Sequence, residues 1–276
     1  IRLSLVGSEM CIRDSLYTLE DHAGSVRSLD ITPDGRRLLS LSGEGELFLW
    51  DLERRTLKDR LSVEGGYYPS VAVSPDGRRV LAPSGPNAVL VDLDTFEIQK
   101  TLYGEGDAVW GITWLPDNRR ALLSSDYWPV VLWDVDTGER LAKLEGHSAG
   151  VKGLAVTADG KLALSASDDH SFILWDLTQE KSLLRHFGHS DDVNAVRLTP
   201  DHRRVVTVSS DTSLKVWDFE LLRSRRPEEQ ASARQYPWLA PDGRRALRKS
   251  PNGGLELWDL ESLEQRILGS ATEDIR

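Results

Sequence analysis

The chain has 276 residues, of which 39% are hydrophobic and 28% are charged, and its formal net charge is −10 at pH 7. This length can bury a large core. The acidic balance argues against a protein that coats nucleic acid, and no apolar run approaches the roughly 18 residues of a membrane span. With one cysteine, an internal disulfide is excluded. We expect no association with a membrane and a cytoplasmic location.

The first residues of the chain differ from the rest. Met10 and Cys11 are the only methionine and the only cysteine, and they stand side by side in "SEMCIRDS". The stretch resembles the translated transposon end found in some sequencing libraries. We therefore interpret residues 1–15 as non-native sequence, and a natural N-terminal extension is the alternative. The next residues, "LYTLE" (16–20), are predicted to form an orphan outer strand.

Two phrases repeat in step through the rest of the chain. The first ends in a Trp-Asp pair, with Val91 in place of one tryptophan. The second is a "TPDGRR"-like turn. A period near 42 residues indicates stacked supersecondary units that share their apolar faces. The tryptophans of the first phrase are Trp50, Trp133, Trp175, Trp217 and Trp258, and the aspartates of the second are Asp34, Asp76, Asp117, Asp159, Asp201 and Asp242.

Each unit has the pattern of strands. In residues 150–177 short apolar runs alternate with turn signals, and the following run supplies a fourth strand. Four antiparallel strands per unit are typical of a propeller blade. We predict an all-β chain, a β-propeller of residues 16–270 with six four-stranded blades and the orphan outer strand of an incomplete seventh. The predicted blades are 21–61, 62–103, 104–144, 145–186, 187–222 and 230–268, with a linker at 223–234 and the start of a further repeat at 271–276.

A third signal precedes the first strand of three units. His22, His147 and His189 each lie 12 residues before the turn aspartate, which lies 16 residues before the tryptophan. On these motifs the chain resembles WD-repeat (WD-40) β-propellers from residue 16 to about residue 268, and it is similar to bacterial WD-repeat regulatory proteins. In such proteins propellers often form the sensor part of a signalling NTPase or kinase, so the chain is interpreted as a fragment of a larger protein.

The resemblance implies a buried chain of hydrogen bonds in each well-formed blade. Serine, histidine and aspartate together have the residue types of a hydrolase triad. The set recurs in register with the fold and no nucleophile elbow is present, so we interpret it as structural. We predict no catalytic residue, no metal ligand and no cofactor. The implied members are Trp175, Ser165, His147 and Asp169 in the fourth unit, Trp217, Thr207, His189 and Asp211 in the fifth, and Trp50, Ser40 and His22 in the first, where Glu44 stands at the position of the aspartate.

Two classes of function remain open. The first is a non-enzymatic scaffold or sensor that binds a protein or peptide and is monomeric as a complete propeller. The second is a propeller that binds nucleic acid or another anion through paired arginines, or part of an enzyme whose catalytic domain is missing. Pairs such as Arg36-Arg37 and Arg78-Arg79 follow the same turn and should share one face. We interpret them as solvated turns, and nucleic acid is an unlikely partner.

A partner-binding surface is predicted on the face opposite the paired arginines. The resemblance implies that partners dock on the loops entering the first strand of each unit and on the turns between its second and third strands. Aromatic and arginine clusters are the usual composition of binding hot spots. The rival explanation is that these rings fill space in degenerate blades. The proposed residues are Tyr67, Trp110, Tyr127 and Trp128, with Arg27, Lys152 and Asn194 beside them.

Overall fold

The computed structural model describes residues 16–65, 70–104, 108–126 and 129–224, together with four short strands between residues 238 and 267. Residues 1–15, interpreted above as non-native, lie outside the described residues. So do residues 271–276 and most of the predicted linker, 225–234. Within the described residues no helix is long and apolar enough to span a membrane.

Residues 26–218 form five consecutive antiparallel sheets, in which each strand pairs with its neighbour in sequence. The prediction of four-stranded antiparallel units is confirmed for the first four sheets. The first sheet contains β1 (Val26–Ile31), β2 (Arg37–Ser42), β3 (Glu46–Asp51) and β4 (Thr56–Ser62), and the second contains β5 (Ala72–Val73), β6 (Arg79–Ser84), β7 (Asn87–Asp92) and β8 (Ile98–Leu102). The third contains β9 (Val109–Trp114), β10 (Arg120–Ser125), β11 (Val130–Asp134) and β12 (Glu139–Leu144), and the fourth contains β13 (Val151–Val156), β14 (Leu162–Ser167), β15 (Ser171–Asp176) and β16 (Lys181–Phe187).

The fifth sheet departs from the prediction, because it has three strands and not four. A short helix, α1 (Phe219–Ser224), follows its third strand where an outer strand was predicted. Phe219 and Leu222 lie on one side of this helix and are buried against the fourth sheet. The Asp218 carboxylate accepts a hydrogen bond from Leu221 N–H and caps the first turn. The three strands are β17 (Val193–Leu198), β18 (Arg204–Ser209) and β19 (Leu214–Asp218).

Four further strands follow α1 and pair in chain order as a separate sheet. The prediction of six four-stranded blades is therefore not confirmed as it was made. The predicted orphan strand is also wrong: residues 16–20 belong to no strand. Within the described residues no sheet precedes the first one and offers this segment a ladder partner. The four strands are β20 (Trp238–Leu239), β21 (Arg245–Lys249), β22 (Leu255–Asp259) and β23 (Gln265–Ile267).

The repeated turn phrase forms the hairpin between the first and second strands of each of the five sheets. In the first sheet Thr32 N–H donates to Arg37 O at 2.9 Å, and Gly35 N–H donates to Thr32 O at 2.8 Å. The Asp34 carboxylate accepts hydrogen bonds from the Thr32 hydroxyl and from Arg36 N–H. Gly35 has a φ of 70°, a conformation that favours glycine. The phrase "TPDGRR" therefore recurs because each of its residues closes the same turn.

The apolar cores lie between consecutive sheets. Leu39 and Leu49 of the first sheet pack on Val80 and Val91 of the second, and three similar clusters join the second to the third, the third to the fourth and the fourth to the fifth sheet. The first strands of the five sheets, β1, β5, β9, β13 and β17, line one central cavity of about 520 Å³. This radial packing means that a sheet buries its faces only against its neighbours.

Two faces of the molecule follow from this topology. Loops entering the first strands, and hairpins between second and third strands, lie at one end of the sheets. We call this end the loop face; its described residues are 20–25, 43–45, 63–65, 70–71, 84–86, 103–104, 108, 126, 129, 145–150, 168–170, 188–192 and 210–212, with the first two residues of the first strand of each sheet. The hairpins between first and second strands and between third and fourth strands form the other end, which we call the turn face (32–36, 52–55, 74–78, 93–97, 115–119, 135–139, 157–161, 177–180 and 199–204).

The first and fifth sheets each present an exposed apolar side. Val26 and Leu29 on β1 are 50% and 63% exposed, whereas Val151 and Leu154 at the same positions of β13 are 1% and 7% exposed. On the fifth sheet Leu214 is 61% exposed. In each sheet, therefore, the first (inner) strand packs on the preceding sheet, and the third strand packs on the following sheet. At the two ends of the array of five sheets, the packing surface of the first strand in the first sheet and that of the third strand in the fifth sheet are exposed.

Candidate functional site

The fourth sheet brings the four implied residues of its unit together. Trp175 Nε1–H donates to Ser165 Oγ at 2.7 Å, and His147 Nε2 lies 2.7 Å from the same hydroxyl. His147 Nδ1 lies 2.7 Å from Asp169 Oδ2. The four residues come from four elements: the loop before β13, the strands β14 and β15, and the hairpin between these two strands. The spacing of the repeat therefore brings them together. The histidine and aspartate side chains are only 5% and 4% exposed.

A fifth residue, Arg185 on β16, completes this network and was missed by the sequence reasoning. Its guanidinium donates to Asp169 Oδ2 at 2.7 Å, to Ser171 Oγ and to Gly146 O. Burial alone would raise the pKa of Asp169. The hydrogen bond and electrostatic attraction of His147, with hydrogen bonds from Ser171 and from Ser148 N–H, outweigh burial and hold that pKa well below its usual range.

The fifth sheet repeats the arrangement with a threonine. Trp217 Nε1–H donates to Thr207 Oγ1 at 2.9 Å, and His189 Nε2 lies 2.7 Å from the same oxygen. His189 Nδ1 lies 2.8 Å from Asp211 Oδ2. Burial would raise the pKa of Asp211, but hydrogen bonds from Ser213, from His189 and from two backbone N–H groups lower it well below its usual range. Each polar atom of the buried chain has a partner.

The first sheet holds a modified version. Trp50 Nε1–H donates to Ser40 Oγ at 2.7 Å, and His22 Nε2 lies 2.6 Å from that hydroxyl. Glu44, which stands at the sequence position of the aspartate, does not contact the histidine. Glu46 faces it instead, with Oε2 3.5 Å from His22 Nδ1. The longer side chain reaches the imidazole from two residues further along the hairpin, and the fourth link is correspondingly weak.

These networks leave no nucleophile open to a substrate. Ser165 and Thr207 are fully buried, and each hydroxyl is occupied by an indole N–H and an imidazole nitrogen. A nucleophilic hydroxyl must reach a reacting atom about 3 Å away. The geometry therefore serves to fix the loop before each inner strand against the two strands behind it.

Three regions of the chain match the family model described as "WD domain, G-beta repeat": residues 13–51, 138–176 and 181–218. The chain contains WD40 repeats. The matched regions end with the third strands of the first, fourth and fifth sheets, which are the sheets that hold His22, His147 and His189. No curated protein matches the sequence. Each WD40 repeat at 138–176 and 181–218 joins the outer strand of one sheet to three strands of the next.

The described members of the predicted partner surface lie on the loop face, but they differ in accessibility. Arg27 and Asn194 are exposed, and Trp110 is half-buried. Lys152 is mostly buried, because its ammonium group is held by Asp168 Oδ1 at 2.5 Å and by Asp192 Oδ2 at 3.3 Å. Lys152 is therefore engaged within the protein. Tyr67, Tyr127 and Trp128 lie outside the described residues.

The paired arginines on the turn face have divided roles, which the sequence did not reveal. Arg37 donates to Leu93 O, Asp94 Oδ1 and Gly77 O of the second sheet at 2.8–3.0 Å. Arg79 donates to Asp136 Oδ1 at 2.6 Å and to Asn118 O of the third sheet, and its guanidinium lies 5.3 Å from the Trp114 ring. The second arginine of these two pairs thus links adjacent sheets.

One group on the loop face has the residue types of a metal site. Ligand atoms of His170, Asp191 and Asp192 lie within 4.8 Å of one another. His170 Nε2 is 3.8 Å from Asp192 Oδ1, and His170 and Asp191 are exposed. Asp192 is also engaged by Lys152. An ion pair between WD40 repeats accounts for this group, and we assign no metal to it.

Proposed function

We propose that the chain is a non-enzymatic scaffold that binds a protein or peptide on its loop face, as part of a β-propeller. WD40 repeats suggest protein partners in general. Its further interpretation as the sensor fragment of a larger regulatory protein stays a prediction. The proposal concerns residues 16–224, where the sheets and their loops are described.

One observation carries the proposal. Buried histidines anchor the loops that enter the inner strands, and the residues that follow are presented on the loop face. His189 is 8% exposed, whereas Asn194, five residues later, is exposed and hydrogen-bonded only to the Ser210 hydroxyl across the hairpin. Rigid loops that hold accessible side chains lose little conformational entropy on binding. Such loops are suited to binding a partner rather than to catalysing a reaction.

The half-buried Trp110 provides an aromatic contact at the same level. Its ring lies against the backbone of Gly150 in the neighbouring WD40 repeat, where a Cβ would stand 2.7 Å from a ring atom. The ammonium group of Lys152 lies 6.0 Å from the ring. Tryptophan is among the residues that contribute most to binding at protein interfaces. Trp110 is therefore the described residue on which we expect binding to depend most.

The turn face supports the alternative, nucleic-acid binding, less well. A protein binds phosphates through arginines whose guanidinium groups are free to reach them. Arg37, Arg79 and Arg120 are all engaged: the first two clasp the next sheet, and Arg120 pairs with Asp117 Oδ2 of its own turn at 2.6 Å. Arg78, Arg203 and Arg204 are exposed, but each of them follows an aspartate of its own turn, which offsets its charge. The turn face is better explained as a set of bonds that hold the sheets in place.

Selection of random peptides displayed on phage against the purified chain tests the proposal. We expect enriched peptides whose affinity for the chain falls on the order of tenfold or more with Trp110→Ala, as for a binding hot spot. Asn194→Ala should also weaken binding and, being an exposed change, should leave the fold intact. Arg78→Ala on the turn face is the matched control and should bind normally. Enriched peptides that depend on Arg78 and ignore Trp110 and Asn194, or the absence of any enrichment, would overturn the proposal.

A further inference from the structure

We propose that the segment recognised by the loop face is basic, rich in arginine and lysine. This inference rests on the proposed function and specifies the chemistry of the partner. It follows from the way charge is divided between the two faces of the described residues.

The loop face carries exposed carboxylates that have no ion-pair partner. Its cations are few among the described residues: Arg27 is exposed, and Lys152 is already neutralised by two aspartates. Two more cations reach it from the strands and are held there, since Arg185 pairs with Asp169 and Lys215 donates to Gly188 O. The unpaired carboxylates occur in four of the five sheets or in the loops between them, so the negative charge extends across the face and is not confined to one cluster. They are Glu20, Asp21, Glu44, Glu64, Glu145 and Asp191.

The turn face is closer to charge balance. Some aspartates there are paired with arginines, as in the Asp94–Arg37, Asp136–Arg79 and Asp134–Arg119 pairs. The exposed aspartates of four hairpins have no ion pair among the described residues: Asp34, Asp76, Asp159 and Asp201. Its exposed glutamates without an ion pair in the described part of the chain are outnumbered by exposed cations without one. The glutamates are Glu97, Glu139 and Glu180, and the cations are Arg78, Lys161, Arg203 and Arg204. Exposed cations therefore offset much of the unpaired negative charge of the turn face, whereas on the described part of the loop face Arg27 is the one exposed arginine or lysine.

The loop face already contains one cation held by the chemistry proposed for the partner. Lys152 places its ammonium between Asp168 and Asp192, near the Trp110 ring. Burial would lower the pKa of Lys152, but the two carboxylates outweigh burial and raise it. Carboxylates beside an aromatic ring attract ammonium and guanidinium groups. The ion pairs of Lys152 do not involve the exposed carboxylates, and they show that the surroundings of Trp110 accommodate a positive charge.

An acidic face attracts a cationic partner at long range and repels an anionic one. A nucleic acid or an acidic peptide would meet like charge near Glu145 and Asp191. A basic segment would find carboxylates on both sides of Trp110, since Glu64 and Glu145 belong to loops on opposite sides of the third sheet. Charge complementarity therefore selects a basic peptide segment among the possible occupants.

Binding of a fluorescently labelled oligo-arginine peptide, followed by anisotropy at low and high salt, tests the inference. An oligo-glutamate peptide of equal length is the ligand control. The test variant combines Glu44→Gln, Glu145→Gln and Asp191→Asn. We expect the wild-type chain to bind oligo-arginine and not oligo-glutamate, and the variant to lose on the order of tenfold in affinity, since each surface charge pair contributes modestly. High salt should reduce the difference.

The matched control changes the same net charge on the turn face, through Glu97→Gln, Glu139→Gln and Glu180→Gln. This variant should bind oligo-arginine like the wild type. Equal loss in both variants would show that only net charge matters and would overturn the inference, as would binding that neither variant changes. Phage-selected peptides that depend on Trp110 but contain no excess of basic residues would also overturn it and leave the proposed function standing. If no peptide is selected and oligo-arginine binds without discriminating between the faces, both proposals fail.

Discussion

Replacing His147 by alanine removes the residue that joins Ser165 to Asp169 in the fourth sheet. The wild-type imidazole makes one bond of 2.7 Å to a neutral hydroxyl and one of 2.7 Å to a carboxylate. Net contributions are about 0.5–1.5 kcal/mol for a neutral hydrogen bond and about 1.5–3 kcal/mol for one to a charged group. The sum would be about 2–4.5 kcal/mol.

The surroundings limit this cost. Asp169 keeps the hydrogen bonds from Arg185 and from Ser148 N–H, so its charge is not left without a partner. Ser165 keeps the indole N–H of Trp175 as a donor. We therefore expect His147→Ala to lower the free energy of unfolding by about 2–3 kcal/mol, near the lower half of the range.

Urea unfolding followed by tryptophan fluorescence measures this change. His22→Ala in the first sheet is the matched control, because His22 has one short bond, to Ser40, and a contact of 3.5 Å to Glu46. It should cost about 1 kcal/mol. Equal losses in the two variants, or a loss below about 0.5 kcal/mol for His147→Ala, would refute the reasoning that the closed network stabilises the WD40 repeat.

Three further outcomes are expected. Arg79→Ala should lower the free energy of unfolding by about 1–2 kcal/mol, because it removes a clasp between sheets, whereas the exposed Arg78→Ala should change it by less than about 0.5 kcal/mol in the same urea titration. The folded-state pKa of Asp169 lies below its unfolded value near 3.8, so the stability that Asp169 contributes is complete above about pH 4 and is lost as the pH falls further. In thermal melts at a series of pH values, Asp169→Asn should therefore weaken the fall of the melting temperature below pH 4. An unchanged fall would contradict the lowered pKa of Asp169. Leu47→Ser should lower the free energy of unfolding by about 2–5 kcal/mol, because Leu47 is fully buried. Leu214 has the same register in the fifth sheet but is exposed, so Leu214→Ser should change the free energy of unfolding little and should reduce binding of a hydrophobic dye. Similar losses in the two variants would show that Leu214 is buried.

Much of the network could be predicted because its spacing is local. Ser165 and Trp175 are ten residues apart and directly bonded, and the histidine lies 18 residues before the hydroxyl in the first, fourth and fifth sheets. Antiparallel hairpins of fixed length convert these intervals into contacts. Glu46 could not be predicted in the same way, because a glutamate reaches the imidazole from a different residue of the hairpin than an aspartate does.

The arginine contacts between sheets and helix α1 could not be predicted from the sequence, for other reasons. Arg37 bonds to residues 40 to 57 positions away, in the next sheet, and no short motif marks that contact. Helix α1 has six residues, which is too short to show a helical period. Its position depends on two apolar side chains, Phe219 and Leu222, finding the core between the fourth and fifth sheets.

The central claim is that the WD40 repeats recognise a partner on the loop face. Hydrogen–deuterium exchange of the chain with and without a phage-selected peptide tests it most directly, since bound backbone amides exchange more slowly. We predict added protection in the loop-face segments 145–150, 168–170 and 188–192, with no change in the turns 157–161 and 199–204. Protection of those turns with none in the loops would contradict the claim.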